Sequence, residues 1–285
     1  QLRQRTESVG AWLAGKVERD ARVAILAANH PRWVAAYLGI ICAGRTAVPL
    51  DTAFHADQVA KLLKDSGASV LFCDAKHLAV AQQAVDGLPV GLVMTSTADE
   101  QAHATPATGG VQPVVDLDTI FATGSTRFTP VIPSENDLAA LLYTSGTTAD
   151  PKGVMLTHGN LVGEANAVFQ VIHIGPDDAL LGILPMFHVL AQMANLFLPL
   201  FNGARVVYLE TLNTTELLRA LQERGITAFC VVPQFFYLIH EKIFKELNKR
   251  GKFTLRLVRT LMAFNRALRR VGLNAGKIFF GKIHA

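Results

Sequence analysis

Residues 141–158, LLYTSGTTADPKGVMLTH, gather four hydroxyl side chains around one glycine and follow them with a proline, a lysine and a second glycine. The hydroxyls are Thr144, Ser145, Thr147 and Thr148, the first glycine is Gly146, and the cation is Lys152. Hydroxyls and backbone N–H groups in a turn can wrap an anion, and a flexible lysine adds a point charge. Nucleotide phosphates are commonly held in this way. The Walker A pattern does not fit, because Lys152 precedes Gly153, Val154 stands where a hydroxyl is required, and GVMLT reads as strand where Walker A opens a helix. A surface turn that happens to be rich in Ser, Thr and Gly is the plain alternative. Against it stands the fixed offset between T-S-G-T-T and P-K-G.

The elements around this loop alternate. ARVAILAAN reads as a strand closed by NHP, and RWVAAYLGIICAG as a buried helix stopped by Gly44. RTAVPL leads to a polar helix, HADQVAKLLKDSG, with Val59, Leu62 and Leu63 on one face. ASVLFCD is a strand, AKHLAVAQQAVDG a helix and LPVGLVMT a strand, so residues 1–95 read as a first subdomain of parallel βαβ units. Residues 96–136 are small, polar and rich in Pro and Gly, and read as long surface loops or a linker. Alternation resumes over 137–285, with DLAALLYT and GVMLT as strands flanking the loop and HGNLVGEANAVFQVI as a helix capped by Thr157. Further strands are expected at 178–184, 204–209 and 226–232, and helices near 189–198, 213–223 and 234–248. The fold class expected is therefore α/β, with two largely parallel-sheet subdomains.

At 285 residues and 50% apolar, the chain can bury a substantial core. It begins on the polar run QLRQRTESVG without Met and shows no secretory signal, which reads as a chain whose start is missing. Cys42, Cys73 and Cys230 stand far apart, as reduced, buried thiols of a cytoplasmic protein would. The most apolar stretch, residues 179–201, is broken by two prolines, a His, a Gln and an Asn, so a buried strand and helix fit it better than a membrane span. The net charge of +4 hides an asymmetry, for residues 241–285 carry twelve Lys and Arg against two Glu.

YTSGTT-x-x-PKG resembles the phosphate-binding signature of the adenylate-forming enzymes, a superfamily of acyl-CoA synthetases, luciferases and peptide-synthetase adenylation domains. VAILAANHPRWVAAYLGIICAGRTAVPLD, KLLKDSGASVLFCD, LPMFHVLA and GARVVYL are similar to successive segments of that family. CVVPQFFYLIHEKIF and NRALRRVGLNAGKIFFGKIHA resemble the long-chain fatty acyl-CoA synthetase branch. The resemblance implies a two-step reaction: a carboxylate attacks the α-phosphate of ATP, releasing pyrophosphate, and a thiol, usually that of coenzyme A, then displaces AMP. Mg²⁺ and fixed donors would stabilise the charged leaving group.

Carried over by position, the resemblance gives Thr144, Ser145, Gly146, Thr147 and Thr148 to the β- and γ-phosphates, and Lys152 to charge and catalysis. Thr147 or Thr148 would contact the metal. His188 in PMFH would lie beside the acyl and adenylate site, although read alone it is a core histidine at a strand end. Phe187, Val189, Leu190 and Met193, with Phe235, Phe236 and Tyr237, are candidates for an acyl tunnel wall, or plain core. Ala149 stands where the family commonly has Gly, and a positive φ there would strain it.

The family's later motifs, which carry the magnesium-binding Glu, the ribose-gripping Asp and the catalytic Lys of a small C-terminal domain, are absent. The chain accordingly reads as an N-terminal fragment, expected to hold phosphate weakly and turn over poorly alone. Two rivals remain, a ligase that hands the acyl group to a carrier protein and a non-catalytic fragment that binds fatty acid, nucleotide or membrane. The segment 253–270 has helical periodicity, with Leu257, Leu261, Phe264 and Leu268 on one face and Arg259, Arg266 and Arg270 roughly opposite. Such a helix can lie on the inner face of an anionic membrane or pack as an ordinary surface helix. The remaining partners expected are the fatty acid and a second copy in a homodimer. Nucleic acid is not expected, because no recognition motif or aromatic interleaving accompanies the basic charge.

Overall fold

The computed structural model describes residues 1–96, 114–124, 128–144, 151–209, 214–249, 251–270, 275 and 278. The chain divides into two compact units, Gln1–Cys230 and Val231–Ala285.

In the first unit, strands β1 (Arg22–Leu26), β2 (Thr46–Pro49), β3 (Ala68–Cys73), β4 (Gly91–Met94), β5 (Val114–Asp116), β6 (Leu138–Thr144) and β7 (Lys152–Thr157) form one sheet. Their order is β5-β4-β3-β1-β2-β6-β7. Every pairing is parallel except β6–β7. Residues on either side of 96–136 thus meet in the same sheet. A second, parallel sheet has the order β10-β8-β9, from β8 (Ala179–Gly182), β9 (Arg205–Tyr208) and β10 (Ala228–Phe229).

Helices cover both faces of the large sheet, as parallel strands buried on both sides require. Helices α1 (Leu2–Ala14), α2 (Pro31–Cys42) and α5 (Leu117–Thr123) share a core with the β1 and β3 side chains Val23, Ile25, Val70 and Phe72. Helices α3 (Ala56–Ser66) and α4 (Leu78–Val85), the latter preceded by a 3₁₀ turn at Ala75–His77, bury Val59, Leu62, Leu63 and Ala81 against the other face. Gly39 sets the α1–α2 approach, since a Cβ there would meet Val9 Cβ at 2.6 Å. His30 caps α2 by accepting from the Arg32 N–H, with Pro31 at the first position. Gly44, at φ +68°, ends the helix where the sequence places a stop.

Two elements were not assigned from the sequence, and two expectations need correction. The polar opening of the chain is a helix, α1, whose buried side is Thr6, Ser8, Val9, Gly10 and Leu13. RTAVPL contains a strand, β2, buried along its whole length. Residues 96–136, read as loops or a linker, contain β5 and α5, whose Leu117 and Ile120 are buried in the core. Of the three thiols, all free, only Cys73 is buried, whereas Cys42 and Cys230 are half-buried. Burial pushes the Cys73 thiol up to about 12, which leaves it inert at neutral pH.

The apolar stretch 179–201 is β8 followed by helix α7 (Val189–Gln192), a π turn (Met193–Phe197) and helix α8 (Leu198–Asn202). No helix among the described residues is long and apolar enough to cross a membrane. Helices α6 (His158–Phe169) and α9 (Thr214–Glu223) complete the first unit. The second unit is helical, with α10 (Pro233–Lys249) and α11 (Lys252–Arg270).

Candidate active site

The hydroxyl-rich loop is the connection of the β6–β7 hairpin. Thr144, the last residue of β6, pairs directly with Lys152, the first of β7, and Tyr143 pairs with Gly153. One hydroxyl and the cation therefore flank the same loop at adjacent backbone positions, and both residues are exposed. Ser145, Gly146, Thr147, Thr148 and Ala149 lie outside the described residues.

Each arm of the hairpin is anchored. β6 buries Ala139, Ala140 and Leu142 and pairs with β2 through Ala47 and Ala140. The Tyr143 hydroxyl donates to Asp65 on α3 at 2.6 Å. Burial, reinforced by that carboxylate, raises the Tyr143 phenol above its ordinary range, so it stays protonated and keeps donating. Gly153 lies against this ring, where a Cβ would come within 3.0 Å of Leu141 Cδ1 and 3.4 Å of Tyr143 Cε1. β7 ends at Thr157, whose hydroxyl accepts from the Asn160 N–H at 3.2 Å while Asn160 Oδ1 accepts from the Thr157 N–H at 3.0 Å. This reciprocal cap starts α6 where Thr157 was expected to. The first peptides of α6 also donate backward, His158 N–H to Asp137 O and Gly159 N–H to Glu135 O. Burial lowers the His158 imidazole below its ordinary value, opposed by Asp137.

His188 follows the second sheet's central strand. It is exposed, which corrects the reading of it as a core histidine. Its N–H donates to Pro185 O and its carbonyl accepts from the Gln192 N–H, so it caps the short helix α7. The half-buried Phe187 ring lies 4.4 Å from the imidazole, centre to centre. Of the other wall candidates in this unit Met193 is buried, whereas Val189 and Leu190 are exposed. Phe235, in the second unit, is buried and packs edge-on against Phe236, while Phe236 and Tyr237 are exposed.

A set of buried amides that the sequence reading did not assign holds the segment before His188. Asn29, just after β1, donates through Nδ2 to Leu184 O at 2.8 Å and Gly182 O at 3.3 Å, and accepts through Oδ1 from Met186 N–H at 3.0 Å. Gln192 donates to Met186 O at 2.9 Å and accepts from the Tyr37 hydroxyl at 2.8 Å. The signal was present, for Gln192 and Asn195 are two of the polar residues that interrupt the apolar stretch.

Among the described residues no group of three or more His, Cys, Asp or Glu side chains could hold a metal ion. Mg²⁺ fills most of its six positions with waters and substrate phosphate oxygens, so Thr147 or Thr148 would supply one hydroxyl to a metal held chiefly by the nucleotide.

The AMP-binding enzyme family matches residues 1–281. The L-proline–[L-prolyl-carrier protein] ligase of Streptomyces coelicolor is 32% identical over 82% of this chain and 44% of its own length. The long-chain-fatty-acid–CoA ligase 1 of Homo sapiens is 26% identical over 87% of this chain and 37% of its own. The ATP-bound crystal structure of MatB from Rhodopseudomonas palustris superposes with a TM-score of 0.68 at 25% identity, over 83% of this chain and 44% of that one. The chain thus spans less than half the length of these relatives. With an α/β fold like theirs and the signature loop set between paired strands, the chain belongs to the AMP-binding enzyme family.

Proposed function

We propose that this chain carries the phosphate-holding part of an acid–thiol ligase that activates a long-chain fatty acid as its acyl-adenylate and then forms the acyl-CoA. The direct opposition of Thr144 and Lys152 across the mouth of the TSGTT loop carries this reading. A carboxylate oxygen bonds to the α-phosphorus of ATP, the bond to the β-phosphate bridging oxygen breaks, and pyrophosphate departs with the electron pair. Charge builds on the departing phosphates, where Lys152 and the hydroxyls of Thr144, Ser145, Thr147 and Thr148 would meet it. In the second step the coenzyme A thiolate attacks the acyl carbon and AMP leaves. His188 would stand beside the acyl-adenylate, with Phe187 in the wall of the acyl site. Each buried methylene of the acid would contribute about 0.8 kcal/mol to binding.

A carrier-protein thiol in place of coenzyme A is the second reading, favoured by the 32% identity to a prolyl-carrier-protein ligase. On the same reading the protein is cytoplasmic and forms a homodimer that meets the inner face of the membrane through α11. That helix has six Lys and Arg and no carboxylate, and Phe253, Leu257 and Phe264 are exposed on its apolar side.

Equilibrium binding of ATP to the chain and to Lys152→Ala tests the phosphate site. A loss of about tenfold or more in affinity is expected for a cation removed from a phosphate loop, and equal affinities would overturn the reading. Exchange of labelled pyrophosphate into ATP, run with acids of increasing length and with proline, then reads the acid. A maximum with long chains supports the fatty-acid ligase, and exchange with proline alone replaces it.

A further inference from the structure

The polar residues buried beneath His188 converge on one short piece of backbone. Gly182 O, Leu184 O and both peptide groups of Met186 are taken by side-chain amides. Asn195 Nδ2 adds a third donor toward Leu184 O, at 3.4 Å. Asn29, Gln192 and Asn195 are 8%, 0% and 1% exposed, so all three amides are buried. They arrive from separate elements: Asn29 from the exit of β1, Gln192 from the end of α7, and Asn195 from the π turn. A helix widened to π geometry is often found at functional sites.

The placement of Asn29 is informative. β1 is the strand at which the large sheet reverses its order, with β2 on one side and β3 on the other. In open α/β sheets a ligand commonly enters the crevice beyond the carboxyl ends of the strands at that switch point. Here the residue leaving β1 grips the exit of a strand in the other sheet. Two residues beyond the gripped segment stands the exposed His188. The grip is tied inward as well, because Tyr37, which orients Gln192, is fully buried and stacks on Trp33 with ring centres 5.0 Å apart. Tyr208 holds the π turn from the other side, donating to Asn195 O at 2.6 Å. Ordinary core packing does not call for three buried amides on one turn, and Asn195 Oδ1 has no partner among the described residues.

We propose that Asn29, Gln192 and Asn195 are positioning residues that fix the Gly182–Met186 backbone and so set His188 at the acid-binding side of the active site. The inference rests on the role given to His188 above. It predicts that loosening the cluster weakens recognition of the acid and leaves the phosphate loop, on its own hairpin, unaffected.

The test uses the full chain with Asn29→Asp, which keeps the acceptor facing Met186 N–H and turns the donor into an acceptor against two carbonyls. Tyr37→Phe is the gentler second variant, removing only the hydrogen bond that orients Gln192. Three quantities are read: amide hydrogen exchange at residues 182–188, the rate of His188 carbethoxylation by diethyl pyrocarbonate, and equilibrium binding of palmitate and of ATP. For Asn29→Asp, exchange at Met186 should rise at least tenfold, with protection of β1, β3 and β4 unchanged. His188 reactivity should change severalfold, and palmitate affinity should fall about tenfold with ATP affinity constant. Tyr37→Phe should move the same quantities in the same direction by a smaller factor. Unchanged exchange at Met186, or a parallel loss of ATP and palmitate affinity, overturns the proposal. If the unmodified chain binds neither ligand, the functional reading fails by itself, while amide exchange and His188 reactivity still decide whether the cluster positions His188.

Discussion

Gly153 shows how much a single missing side chain contributes to the loop. It needs no unusual backbone angle; what it provides is flatness, letting the Tyr143 ring and the Leu141 side chain lie against β7. Gly153→Ala places a methyl 3.0 Å from Leu141 Cδ1, closer than packed carbons tolerate, so the hairpin must open slightly or Leu141 must change rotamer. A stability loss of about 1 kcal/mol is expected, at the low end for overpacking because a side-chain tip can yield. Thermal unfolding of the variant measures it, and an unshifted midpoint would mean that Leu141 turns away freely. The neighbouring Tyr143–Asp65 bond explains why ring and carboxylate occur together, since burial of the phenol is tolerable with its proton donated to an acceptor.

The Asp74 cluster joins three elements at the carboxyl edge of the large sheet. Its carboxylate accepts from Ala28 N–H at 2.8 Å, from His77 N–H at 3.0 Å and from the His77 ring at 2.6 Å, tying the exit of β1 to the 3₁₀ turn after β3. Burial by itself would raise this carboxyl, but the bond and charge of His77 and the two N–H donors together hold it below its ordinary value. The folded state therefore binds the proton less readily than the unfolded chain does. The stability this provides is complete above the unfolded value of 3.8 and is lost as pH falls through the lower folded value. Urea midpoints taken from about pH 6 down to about pH 3 should fall more steeply for the natural chain than for Asp74→Asn, and parallel slopes would remove Asp74 from the account. At this scale much was legible beforehand. Long segments with a clear period, such as α2, α3, β3 and the β6–β7 pair, follow from their own residues. α1 was hidden because its polar residues mask a narrow buried side, and β2 because four residues carry little period. β5 and α5 were hidden because they lie in a stretch dominated by Pro, Gly and hydroxyls. The amide cluster was legible only as a set of interruptions, since its meaning depends on Asn29, more than 150 residues away in the chain.

Across the whole molecule the charge is divided, with a balance of +10 over residues 241–285 and −6 over the remainder. On the reading of α11 as a membrane-contacting helix, the chain should sediment with vesicles rich in phosphatidylserine and be released as salt rises, since surface charge is screened within about 10 Å at 0.1 M. Reversing charge with Arg259→Glu, Arg266→Glu and Arg270→Glu should abolish co-sedimentation, and equal binding to neutral vesicles would assign the contact to apolar residues alone. The strand order has a consequence for folding. The β6–β7 hairpin can close on its own within microseconds, but its seat is β2, and everything from α3 to α5 lies between the two in sequence. Joining β6 to β2 is the longest-range pairing in the large sheet, and such contacts form late because the intervening chain must first surrender its freedom. During refolding, nucleotide affinity should therefore return after the β1–β3 core has become protected: the loop most recognisable in the sequence would be the last part of the sheet to reach its place.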